Sequence, residues 1–165
     1  MVSECPFSPE ELKTMRSAMS QLAVVTMRHS RGIMARAWEA KSLVQFFMKV
    51  KTLYPENGTI QRLFSQQDTV HREGGMPDPF GQGEKGDADE QQCFLQMARV
   101  RDLVDERLSF DEAAEVKSLF YKVAFEIASA AGDGFFGTGK RVNEAEEDFL
   151  RRLKTELLEP GETND

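Results

Sequence analysis

The residues with the clearest chemical potential lie in one acidic, glycine-rich stretch and in the helix start that follows it. The stretch reads Gly132-Asp133-Gly134-Phe135-Phe136-Gly137-Thr138-Gly139-Lys140-Arg141. Asp133 and Glu144 have the spacing of the first and twelfth ligands of an EF-hand calcium loop, but the third and fifth positions offer no side-chain oxygen. A standard EF-hand is therefore not predicted. What remains is one acid before the loop and three acids after it (Glu144, Glu146 and Glu147), close enough to share a hard cation.

The same acids also have a purely structural interpretation. Asn143 is placed to cap the second helix with Glu146 as its capping-box partner, and acids in a first turn complement the helix dipole. The sequence leaves both interpretations open. It identifies no cofactor, and a divalent cation, calcium or magnesium, is the candidate for this position.

Two phosphate-binding motifs match the stretch in letters but not in context. Gly134 to Lys140 fits the first seven positions of a P-loop, but Arg141 stands where Ser or Thr should bind magnesium. Gly132, Gly134 and Gly137 match the dinucleotide-binding fingerprint. Both motifs require a strand before the loop, whereas the preceding segment has a helical pattern and only 25 residues follow Lys140. We therefore predict neither site.

Phe135 and Phe136 are the apolar residues of this loop. Four glycines surround them and free the backbone (Gly132, Gly134, Gly137 and Gly139). At least one ring is expected either to fold onto the domain as an anchor or to face a protein partner. The loop is accordingly predicted to be a binding element for a cation, a partner or both.

A basic corner, Arg28, His29, Arg31 and Arg36, gathers positive charge near Gly32, where the pattern of the first helix weakens. Residues 1–53 carry a charge of +4 and residues 54–165 a charge of −11, which sum to the net −7. An anion, an acidic partner or the acidic half of the chain itself fits this corner, with Arg28 and Arg31 as candidate contacts. The acidic total disfavours general nucleic-acid binding.

Catalysis is not predicted. The sequence has no Glu-x-x-His pair for a di-iron bundle, no His-Glu-x-x-His motif and no Gly-x-Ser-x-Gly elbow. His29 has no nucleophile nearby in the sequence, and a solvated histidine at a helix end is the preferred interpretation. The alternative to a plain binding module is an anion-binding or small-ligand-binding protein, or an enzyme, that uses Arg28, His29 and Arg31.

Apolar residues recur at helical spacing along most of the chain, and no strand pattern is present. The predicted helices span Pro9 to about Met27, Ile33 to about Leu53, Thr59 to about Ser65, Asp87 to Leu108, Ser109 to Ala131, and Asn143 to Leu158. Capping boxes, Ser8 with Glu11 and Ser109 with Glu112, mark two of the starts, and Asp87 with Glu90 three residues later marks another. Most methionines are predicted to fill the core rather than a partner groove, and Trp38 to pack.

Residues 71–90 are rich in glycine, proline and acids, which predicts a long flexible loop. The fold class is all-α: a compact bundle of about five to seven helices forming one domain over residues 1–160, followed by a tail over 161–165. No run is long enough to span a membrane and the N-terminus lacks a signal-peptide pattern, so the cytoplasm is expected and Cys5 and Cys93 are expected to be reduced. An oligomer is left open.

The segment from Tyr121 to Leu158 resembles the tellurite-resistance TerB-like family. The resemblance lies in an alanine-rich helix ending in Asp133-Gly134 and a helix opening Asn143-Glu144-Ala145-Glu146-Glu147-Asp148-Phe149-Leu150. The sequence departs from the family in having Gly132 before the aspartate and an insertion from Phe135 to Arg141. The resemblance implies a non-enzymatic helical module linked to stress response that often binds a divalent cation. Carried over by position, the candidate metal ligands are Asp133, Glu144 and Glu147.

Overall fold

A computed structural model describes residues 2–29, 33–65, 89–130 and 142–158, and for residues 33–42 the description covers the backbone alone. Within these ranges the chain forms six helices and no strand: α1 (Pro9–His29), α2 (Ile33–Leu53), α3 (Gly58–Phe64), α4 (Glu90–Arg107), α5 (Phe110–Ala130) and α6 (Glu144–Leu158). The protein is an all-α helical bundle, as the spacing of apolar residues predicts. Helices occupy well over half of the chain.

Two of the helix starts are fixed by the predicted capping boxes. The Ser8 amide donates to Glu11 Oε2 at 2.8 Å, and the Glu11 amide donates to Ser8 Oγ at 3.3 Å. Ser109 and Glu112 repeat this reciprocal pattern at the start of α5. Each box satisfies backbone amides that have no partner inside the helix. Both predictions are confirmed.

The start of α4 differs from the prediction. Asp89, not Asp87, is the N-cap, and its Oδ1 accepts from the Gln91 amide at 3.0 Å. Glu90 is thus the first residue of α4 and not its third, and its carboxylate pairs with side chains of α1 and α6. The predicted loop over 71–90 therefore ends at least two residues early, and 71–88 lie outside the described residues.

At the other boundaries, α1 continues two residues past Met27 to His29, and α2 has the predicted bounds. The predicted break at Gly32, the side chain of Trp38 and the tail over 161–165 lie outside the described residues. Among the six described helices, not one has both the length and the apolar character that crossing a bilayer requires.

Helix α5 is the centre of the bundle and packs against α1, α2, α4 and α6. The apolar residues that recur along it at helical spacing are fully buried (Val116, Leu119, Phe120, Val123, Ala124 and Ile127), and Ala131, the last residue of this stripe, lies outside the described residues. Burying one large apolar side chain contributes about 1.5–3 kcal/mol, so this stripe is a main source of stability. Met15, Met19 and Met97 are also in the core, which confirms their predicted role, whereas Met48 is exposed.

The N-terminal segment is pinned onto the start of α3. The Ser3 amide donates to the Glu56 carbonyl oxygen at 2.8 Å, and the Gly58 amide donates to Ser3 Oγ at 2.9 Å. Asn57 is buried beside them; its Oδ1 accepts from the Ile60 amide, and its Nδ2 donates at 2.9 Å to a carboxylate of α5. We call this end of the bundle the closed end, because short connections and these bonds cover it.

Candidate binding site at the opposite end of the bundle

Two regions that are far apart in the sequence meet at the other end of the bundle. Here α1 ends at His29, α4 begins at Glu90 and α6 begins at Glu144, and we call this the loop end. Asn143 Nδ2 donates a hydrogen bond to the His29 carbonyl oxygen at 3.2 Å. The bond ties the basic corner of the sequence to the start of the acidic helix. The described parts of the two candidate sites, the end of α1 with Arg28 and His29 and the start of α6 with Glu144 and Glu147, therefore adjoin.

The predicted capping box at the start of α6 is confirmed. Asn143 Oδ1 accepts from the Glu146 amide at 3.0 Å, and Glu146 Oε2 accepts from the Asn143 amide at 2.8 Å. Glu146 is only 2% exposed, so the cap is shielded from water. The Glu146 carboxylate accepts a hydrogen bond within the capping box of α6. Glu144 and Glu147, the other glutamates of this turn, are exposed to solvent.

His29 is half-buried rather than solvated, which corrects the interpretation drawn from the sequence. Its side chain is 22% exposed, and Nε2 lies 3.4 Å from Glu90 Oε2. The imidazole ring packs on the Phe149 ring, with centroids 4.9 Å apart. A base at the end of α1 and an acid at the start of α4 each complement their helix dipole, so the antiparallel packing of these helices favours the pair.

Glu90 links three helices, because its carboxylate also forms an ion pair with Arg152 of α6. The Arg152 guanidinium lies 4.4 Å from the centroid of the Phe94 ring, which in turn lies 5.4 Å from the Phe149 ring. The charges thus rest on an aromatic layer. No local sequence pattern predicts these contacts, because the residues are far apart in the chain.

Cys93 is buried on α4, three residues after Glu90, and its thiol is a poor nucleophile. Burial, and then the negative charge of Glu90, raise the pKa of its thiol to about 12. The thiolate is the reactive form, so the side chain is inert near neutral pH. Both Cys93 and the half-buried Cys5 are free thiols, as predicted.

Two of the three predicted metal ligands belong to this end. Glu144 and Glu147 are exposed in the first turn of α6, and neither carboxylate has a partner in the described part of the chain. Asp133 lies outside the described residues. No group of three metal-binding side chains occurs within the ranges that the structure describes. The described residues alone therefore do not form a complete site.

Of the predicted partner-binding residues, the structure places one. Arg28 is exposed in the last turn of α1, beside His29. Phe135, Phe136 and Arg31 lie outside the described residues, as do Lys140 and the side chain of Arg36. Residues 131–141 join the end of α5 to Val142 at the loop end, so the predicted binding loop starts and finishes on ordered helices.

No family model matches the chain, and no curated protein or solved structure matches it either. The chemistry of the loop end therefore rests on its own contacts. These supply two solvent-facing acids on a fixed helix, a histidine that contacts Glu90, and an aromatic layer against which the histidine packs.

Proposed function

We propose that the chain is a non-enzymatic helical binding module, and that its binding element is the acidic glycine-rich segment 131–141 together with Glu144 and Glu147. The supporting observation is the hydrogen bond from Asn143 to the His29 carbonyl oxygen. This bond holds the first turn of α6 against α1, so the two exposed acids project from a fixed frame. A fixed frame lowers the entropy that a ligand must remove on binding.

The chemistry of this turn suits a hard divalent cation. Glu144 and Glu147 are three residues apart on α6, which places their side chains on neighbouring positions of one helix face. With Asp133 they would offer three carboxylates, and carboxylate oxygens are the ligands that calcium and magnesium prefer. Cation binding would neutralise the acids and order the segment that carries Phe135 and Phe136, which couples it to a protein partner.

The resemblance to the TerB-like family supports the same function. By position it would make Asp133, Glu144 and Glu147 cation ligands in a helical module that is linked to stress response and has no established enzymatic activity. We also propose a cytoplasmic location for this module. The basic corner is the weaker alternative site for an anion, a small ligand or a reaction. The His29 ring is already engaged by Glu90 and Phe149, so it is held as a structural residue.

Isothermal titration calorimetry with calcium chloride and magnesium chloride tests the proposal on the full chain. We expect binding to the parent protein and a rise in its melting temperature. The double variant Glu144→Gln, Glu147→Gln should bind more weakly by at least roughly tenfold. Glu10→Gln is the matched control, because it also removes an exposed first-turn acid, but from α1. This control should bind like the parent.

Two results would contradict the proposal. If neither ion gives heat or raises the melting temperature of the parent, Glu144 and Glu147 act only on the helix dipole. If the double variant Glu144→Gln, Glu147→Gln binds the ion as tightly as the parent and the control do, the cation occupies a different place on the protein.

A further inference from the structure

A groove of about 400 Å³ runs between α1 and α4, and we call it the α1–α4 groove. The two helices are antiparallel, since Glu11 pairs with Arg107 near one end and His29 with Glu90 at the other. Small residues of α1 leave the space between them open. Apolar side chains from both helices form its floor (Met15, Ala18, Val100 and Leu103). The volume is within the range typical of ligand-binding clefts, about 300–1,000 Å³.

The walls of the groove carry positive charge that the fold does not neutralise. Lys13 of α1 and Arg99 of α4 line it from opposite sides, and both are exposed. Neither forms an ion pair with any residue that the structure describes, whereas Arg101, Arg107 and Lys117 nearby all do. One acid, Glu10, also lines the groove. Uncompensated cations on facing walls are notable in a chain of net charge −7.

Gln96 supplies a hydrogen-bonding group that lacks a partner. It lines the same groove, and its Oε1 is shielded from solvent without a hydrogen bond to any described residue. Shielded acceptors are nearly always paired in folded proteins, because an unpaired one reduces stability. A donor that enters the groove would satisfy this oxygen once the amide turns toward it.

Exposed apolar residues extend the groove toward the loop end. Val24 of α1 is 40% exposed and Leu95 of α4 is 51% exposed. Val24 lies seven residues beyond Ser17 on α1, and Leu95 lies four residues before Arg99 on α4. Helical spacing therefore puts each on the groove side of its helix. The antiparallel register brings them to the same level.

We propose that the α1–α4 groove binds a short acidic peptide segment of a partner protein. The segment places an apolar side chain on the floor, its carboxylates bind Lys13 and Arg99, and a backbone amide donates to Gln96 Oε1. The lining from Glu10 to Ala18 is about 12 Å long, which accommodates about four extended residues. This site is separate from the loop end and does not depend on cation binding.

The test is a heteronuclear NMR titration of the full chain with a capped peptide, acetyl-Asp-Leu-Glu-Leu-amide. We expect shifts of the amide signals of Thr14, Ser17 and Gln96, which face the groove. The uncharged peptide acetyl-Asn-Leu-Gln-Leu-amide should bind several-fold more weakly, because its side chains cannot pair with the two cations.

Variants separate a specific site from general charge attraction. Lys13→Glu with Arg99→Glu should weaken binding of the acidic peptide by at least about tenfold. The control Lys49→Glu with Lys154→Glu makes the same charge change at exposed positions outside the groove, and should alter affinity by less than about twofold.

Gln96→Met keeps the side-chain length, removes the acceptor, and should weaken binding by about threefold to tenfold while raising the melting temperature. The proposal is wrong if peptide at about 5 mM leaves the groove amides unshifted. It is also wrong if the two charge-reversed proteins lose affinity equally.

Discussion

Gly58 at the start of α3 is the position where one added methyl group should have the clearest effect. A Cβ atom at this position would lie 1.8 Å from the Ser3 carbonyl oxygen and 2.8 Å from its carbonyl carbon. Both atoms belong to the backbone, so no side-chain rotation relieves the overlap. In Gly58→Ala the N-terminal segment must therefore move away from α3.

The bonds that hold the segment set the size of the effect. Moving Ser3 breaks the bond from its amide to Glu56, at 2.8 Å, and the bond from the Gly58 amide to its hydroxyl, at 2.9 Å. Each hydrogen bond contributes about 1 kcal/mol to the free energy of unfolding. The higher helix propensity of alanine offsets up to about 1 kcal/mol of this loss. We expect a net destabilisation of about 1–2 kcal/mol, which lowers the melting temperature by about 2–8 °C at this chain length.

Urea denaturation followed by circular dichroism measures the change, and a truncated background provides the control. In a protein lacking residues 2–4, Gly58→Ala should be neutral or slightly stabilising, because the carbonyl group that it meets is gone. An equal loss in the full and truncated proteins would refute the reasoning, as would full stability of the variant in the intact chain.

Two further changes probe the loop end. Asn143→Ala should destabilise the protein by about 2 kcal/mol in urea denaturation, because it removes both the cap of α6 and the bond to the His29 carbonyl oxygen. Asn143→Asp keeps the cap and should recover about half of this loss. A full recovery would show that the bond to His29 contributes nothing. At pH 8 a disulfide reagent should label Cys5 quickly and Cys93 only after unfolding, since burial raises the pKa of the Cys93 thiol to about 12. The pKa of the Cys93 thiol is about 12 in the folded protein and near 9 in the unfolded chain, so its contribution to stability is present below pH 9 and is lost as the pH rises toward 12. The free energy of unfolding should therefore fall between pH 9 and pH 12 more in the parent protein than in Cys93→Ala. Equal labelling of both thiols in the folded protein would contradict the expected protection of Cys93. The same fall in stability with pH in the parent and in Cys93→Ala would contradict the expected contribution of this thiol.

The sequence predicts the helices well because their starts are encoded within four residues. Ser8 with Glu11, and Asn143 with Glu146, each close a capping box that involves no distant residue. The apolar stripe of α5 is equally local, because one helical period determines which of its residues share a face. The starts of α1 and α6 and the buried face of α5 therefore follow from short stretches of chain.

What the sequence could not predict depends on contacts between distant segments. Glu90 matches the back-bonding acid of a capping box by spacing, but contacts with α1 and α6 give its carboxylate other partners. His29 lies at the end of a helix, where the sequence predicts exposure to solvent, but it is half-buried and contacts Phe149 and Glu90, which are distant in the chain. No local sequence pattern predicts the α1–α4 groove either, because its two walls come from different helices.

The position of α1 in the bundle has a consequence for how the chain is made. This helix is synthesised before α4, α5 and α6, yet it packs against all three, and its last carbonyl group accepts a hydrogen bond from Asn143. At about 5–20 residues per second, the ribosome needs roughly 5–20 s to produce the hundred residues that follow α1. Of the four described helices that α1 packs against, only α3 is made early in that interval. The apolar face of α1 is therefore a surface that chaperones can bind until the last three helices have been made.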